Sequence, residues 1–154
     1  MTKRAEELST ELVQLVALGL AREMESNEDH QEVYSKHYHR TDDPAEALPF
    51  LQLLSSAFNN ILTSSSCDRC FILVLSSSAA SQSSNSISTI IINSSDTRMV
   101  QAVGDNLKTH LGVKGGGKGT RWSGKRIGVW KEAKEGAVVT EILDQLSLHG
   151  SPNP

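Results

Sequence analysis

Two short runs constrain this chain more than anything else in it. Phe71-Ile72-Leu73-Val74-Leu75 and Ile87-Ser88-Thr89-Ile90-Ile91-Ile92 are almost unbroken in apolar or β-branched side chains. Successive side chains on a strand point to opposite faces. A strand that is apolar at nearly every position must therefore be covered on both faces. Strands over residues 69–76 and 86–93 follow, joined as an antiparallel hairpin with a long tip. That tip, within residues 76–86, is a serine-rich low-complexity loop that reads as too polar to bury.

The covering layers are legible as helices. Leu8, Leu12, Leu15, Val16, Leu20 and Met24 recur at three- and four-residue steps and predict a helix over residues 3–25. Thr41-Asp42-Asp43-Pro44 is a helix start, with an aspartate cap before a proline at the first helical position. That helix is expected to run to about residue 62, with Leu48, Leu51, Leu54, Phe58, Ile61 and Leu62 inward. Pro49 falls near its first turns. Ser94-Ser95-Asp96 caps a third helix, with Met99, Val100, Val103 and Leu107 inward and Gly112 as its C-terminal stop. A last helix over about 130–146 would bury Ala133, Ala137, Val138, Ile142 and Leu146. Residues 32–40 alternate as a weaker strand.

The order predicts an α/β (α+β) fold, a single layered domain with a small mixed β-sheet packed by helices. At 154 residues the chain suits one such domain. Residues 1–26 would be a helix that packs on the domain or mediates association. Residues 27–148 would be the α/β domain, and 149–154 a tail.

Between the last two helices lies a glycine-rich basic loop, 112–128. From Val113 it reads V-K-G-G-G-K-G-T-R-W-S-G-K-R-I-G, with six glycines, five basic residues and no acid in sixteen positions. From Lys114 to Lys134 there are seven basic residues and one acid, six positive charges net. The whole chain is −3, so the remainder carries about nine negative charges. A local basic patch on an acidic body can still meet a polyanion. Lysines and arginines beside an aromatic suit phosphates and a stacked base. Trp122 is read either as stacking on RNA or as packing in the core. The segment is no phosphate-binding loop of the nucleotide-hydrolase type, because Lys118 is followed by Gly119, Lys125 by Arg126, and a helix precedes it.

Other candidate chemistry is thin. No G-x-S-x-G elbow is present. Cys67 and Cys70 lead into a strand, where residues three apart face opposite ways, so they read as ordinary thiols. His37 and His39 share one face of the weaker strand, and two such imidazoles can chelate a metal. The nearest carboxylates, Asp42 and Asp43, belong to the helix start, and neither a metal site nor a cofactor is expected. No apolar run approaches the roughly 20 residues of a membrane helix. The opening Met1-Thr2-Lys3-Arg4-Ala5-Glu6-Glu7 has no apolar signal core. A cytoplasmic location without a membrane partner is expected.

The run G-V-K-G-G-G-K-G-T-R-W-S-G-K, Gly112 to Lys125, followed by an alanine-containing helix, resembles the C-terminal DHH-associated domain of alanyl-tRNA synthetases and of freestanding, AlaX-like alanyl-tRNA editing proteins. The resemblance spans nearly the whole chain, although only this run is specific. It implies a tRNA-binding accessory domain, with self-association as a further property of the family. By resemblance the loop is Lys114, Gly115, Gly116, Gly117, Lys118 and Gly119, continued by Arg121, Trp122, Lys125 and Arg126. The editing zinc motifs H-x-x-x-H and C-x-x-x-H are missing, and so is D-H-H. DHH-linked versions often carry a histidine after the glycines, where this chain has Lys118 or Gly119. The expectation is therefore a non-catalytic domain that binds tRNA or another structured RNA. A protein-interaction or dimerisation module is the main alternative, and a fragment of an alanyl-tRNA editing hydrolase the second.

Overall fold

The apolar runs form the middle of a five-stranded sheet. The computed structural model describes residues 3–26, 33–42, 44–64 and 70–148. In chain order the elements are α1 (Lys3–Ser26), β1 (Val33–Thr41), α2 (Pro44–Ser64), β2 (Cys70–Ser78), β3 (Ile87–Ser94), α3 (Thr97–Leu111), β4 (Lys114–Lys118), β5 (Arg121–Ile127), a π-helical turn (Glu132–Gly136) and α4 (Ala137–Leu148). The strand order is β1-β2-β3-β5-β4. β1 and β2 run parallel and the other neighbours antiparallel. The result is a mixed α+β domain with helices on both faces of the sheet. No described helix is long and apolar enough to cross a membrane.

Alternation along the strands divides the core in two. Tyr34, Phe71, Leu73, Leu75 and Ile91 pack with α1 and α2. Val33, Ile72, Val74, Ile90, Ile92 and Trp122 pack on the other face with α3 and α4. The caps of α3 are those its sequence announces. The Asp96 carboxylate accepts from the Arg98 amide at 2.8 Å, and Gly112 closes the helix at φ 65°.

Several expectations are corrected. The glycine-rich segment is a β-hairpin extending the sheet, not a loop. β2 continues through Ser78, so Ser76, Ser77 and Ser78 are buried rather than part of a polar tip. Their hydroxyls are hydrogen-bonded to His37, His39 and Asp42, which makes the burial tolerable. In α1 the buried stripe is Val13, Ala17, Leu20, Ala21 and Met24, while Leu12 and Leu15 are exposed. The small side chains of Ala17 and Ala21 let α2 approach, and that turns the two leucines outward. The π-helical turn adds a residue before α4 and shifts its phase. Ala133 and Ala137 therefore face solvent, whereas Ile142 is buried and Val138 and Leu146 pack against the core as expected, joined by Val139 and Leu143. Pro49 lies within α2 and is exposed. Cys67, the candidate cap Asp43 and the tail 149–154 lie outside the described residues.

Candidate nucleic-acid interface

The hairpin's geometry is set by its glycines. A Cβ at Gly115 would stand 2.2 Å from the Ser123 carbonyl oxygen, and one at Gly117 would stand 2.1 Å from that of Arg121. The two strands therefore approach as only glycine allows. Gly119, at φ 64°, makes the turn. Gly116 has open space where a side chain would sit.

Pairing then sorts the predicted residues. Lys114 pairs with Lys125, Gly116 with Ser123, and Lys118 with Arg121. Residues paired across strands share a face. Lys114, Arg121, Ser123 and Lys125 are exposed on the face that carries α2 elsewhere in the sheet. α2 packs on β2 and β3 and leaves β5 and β4 uncovered on this side. Between α2 and the hairpin runs an open groove of about 400 Å³, lined by Gln52, Ser55, Ser56, Ile91, Gly116, Gly117, Arg121, Trp122 and Ser123. No acid lines it. The Ser55 hydroxyl is buried there with no hydrogen-bond partner. Among the described residues, Lys114, Arg121 and Lys125 have no acidic partner.

Two members of the predicted set face the other way. Trp122 is 6% exposed, and its indole lies against α3 where Gly104 has no side chain. It is a core residue, not a base-stacking one. Gly124 leaves room for the far edge of the same ring. Arg126 is a brace: its Nε donates to the Leu111 carbonyl at 3.0 Å and its Nη1 to the Val129 carbonyl at 2.9 Å. Its Nη2 reaches the buried Glu135 carboxylate at 3.4 Å. That guanidinium ties the end of α3 to the π-helical turn and is not free for a phosphate.

A second constellation escapes sequence reading. His37 and His39 face the π-helical turn, and Glu132 comes to meet them from 93 positions beyond His39. His37 Nε2 and His39 Nδ1 lie 2.8 Å and 2.6 Å from the Ser76 hydroxyl, and His39 Nε2 lies 2.9 Å from that of Ser78. The Trp130 ring stacks on His39 at 5.3 Å, and its Nε1 donates to Glu132 Oε1 at 2.6 Å. Gln82 fixes Trp130 in turn by exchanging hydrogen bonds with its backbone. Burial lowers the His37 pKa to about 4 against the pull of Glu132, and burial likewise lowers that of His39. Both rings are therefore neutral near pH 7, so the 3.4 Å approach of His39 Nδ1 to Glu132 is not an ion pair there. The only signal in the sequence was the shared face of His37 and His39.

No protein-family model matches this chain, and no curated protein does. Among solved structures it is similar to the C-Ala domain of alanyl-tRNA synthetase from Aquifex aeolicus, at 15% identity and a TM-score of 0.38, over 72% of this chain and 89% of that one.

Proposed function

We propose that this chain is a non-catalytic RNA-binding accessory domain of the alanyl-tRNA synthetase and editing type, and that it holds tRNA on the uncovered face of the β4–β5 hairpin. The observation that carries this reading is a like-charge match in one short ladder, Lys114 with Lys125, with exposed Arg121 on the same face. Like charges directly opposite destabilise a sheet. A hairpin with such a match and Arg121 beside it, next to a groove with no acid among the described residues, is suited to a polyanion that neutralises these charges. Gly116, with open space on that face, keeps the floor low enough for a phosphate backbone to approach. The choice of tRNA rests on the resemblance of residues 112–125.

Affinity for tRNA should fall with salt, with a log–log slope of about −2 to −3 if three of these cations each meet a phosphate. Arg121→Glu with Lys125→Glu should weaken binding at low salt while circular dichroism stays unchanged. Equal affinity of the variant and the parent in a gel shift would remove the reading, and unrelated RNA as competitor reports selectivity. A second reading, association through α1, draws on exposed Leu12 and Leu15. Sedimentation velocity of Leu12→Ser with Leu15→Ser against the parent tests it: an unchanged monomer in both disposes of it.

A further inference from the structure

The carboxyl-terminal ends of the parallel strands β1 and β2 gather donors that the RNA-binding reading does not use. We propose that His37, His39 and Glu132 form a binding site for a divalent transition metal of the zinc class. One donor atom from each residue lies within 4.8 Å of the others. Zinc–nitrogen bonds of about 2.0–2.1 Å place tetrahedral donors about 3.4 Å apart. His39 Nδ1 and Glu132 Oε1 already stand at 3.4 Å. His37 Nε2 and His39 Nδ1 converge on the Ser76 hydroxyl oxygen, which an ion between them would displace or bind. Glu132 is half-exposed, with its Oε1 held by the Trp130 indole N–H at 2.6 Å.

The surroundings favour a cation there. With His39 Nε2 donating to Ser78, Nδ1 is an acceptor, 2.6 Å from the Ser76 hydroxyl and 3.4 Å from the Glu132 carboxylate. An acceptor nitrogen and a carboxylate side by side suit a cation that both can reach. The Ser78 hydroxyl and the Trp130 indole N–H orient the imidazole and the carboxylate, as outer partners do around metal ligands. Glu132 sits on a π-helical turn, a rare feature that gathers at functional sites. A Cβ at Gly136 would stand 2.7 Å from the carboxylate carbon, so only glycine leaves the acid its place. Two imidazoles and one carboxylate suit zinc better than magnesium or calcium. Three protein donors leave a fourth position for water or the Ser76 hydroxyl.

The test is calorimetric titration of the EDTA-treated, desalted full chain with ZnCl₂, repeated with CoCl₂ to read the visible band of a bound cobalt ion. One zinc per chain is expected, with no response to MgCl₂. His37→Ala with His39→Ala should abolish binding. Glu132→Gln, which keeps an acceptor for Trp130, should weaken it by about tenfold or more while circular dichroism is unchanged. His110→Ala and Cys70→Ser should bind like the parent. Folded protein that takes up no zinc would overturn the proposal. So would uptake that survives both site variants, or that Cys70→Ser removes, since the ion would then lie elsewhere.

Discussion

The two faces of β5 are made from one run of residues and serve opposite ends. Trp122, Gly124 and Arg126 turn toward α3 and hold the domain together. Arg121, Ser123 and Lys125 turn toward the uncovered side and are exposed. Arg121 and Arg126 show the contrast best. They are chemically identical and five positions apart. One guanidinium is spread over two backbone carbonyls and a buried carboxylate, and the other stands in solvent beside a groove. Composition alone counts both as basic patch. Only one is free to meet a ligand, because a buried carboxylate needs a partner and claims the nearest cation.

The contrast can be broken by mutation, and the largest effect belongs on the buried face. Trp122→Ala should cost about 3–5 kcal/mol in urea denaturation, since it empties the contact with α3. A loss below 1 kcal/mol would return the indole to the surface. Arg126→Ala should cost about 3 kcal/mol by the same measurement, because it strands Glu135. Gly117→Ala should destabilise by about 1–3 kcal/mol through the forced opening of the hairpin, while Gly116→Ala should be nearly neutral. Equal effects at the two glycines would refute the close approach. Arg121→Ala and Lys125→Ala should each shift stability by no more than about 0.5 kcal/mol. Their effect is expected on the salt dependence of RNA binding instead.

β1 divides in the same manner, and pH sharpens the point. With chelator present, His37 and His39 are held neutral in the fold and titrate near 6.5 when unfolded. Between these values the unfolded chain binds more protons, so stability rises with pH. It is fully present above about pH 6.5 and is lost as pH falls toward the His37 value of about 4. His37→Gln should flatten that slope in thermal melts taken across the range.

Much of the fold was legible because it rests on local periodicity. The continuous runs in β2 and β3 demanded cover on both faces, and the caps Asp96 and Gly112 marked α3 from their own chemistry. The hairpin was less legible. Three consecutive glycines have little strand propensity, and a strand appears there only because β5 offers a ladder and the glycines admit a close approach. The buried serines of β2 escaped for a related reason. Their hydroxyls are acceptable inside only because His37, His39 and Asp42 arrive from β1 and the turn after it.

The candidate sites divide along the same line. By itself the sequence determined that positive charge and glycine concentrate in one segment of an acidic chain, and that two histidines share a strand face. Both follow from spacing along the backbone. Only the tertiary structure decided which cations remain free, that Trp122 belongs to the core, and that Glu132 stands beside His37 and His39. Those outcomes depend on which elements pack together, and packing joins residues that no local period relates.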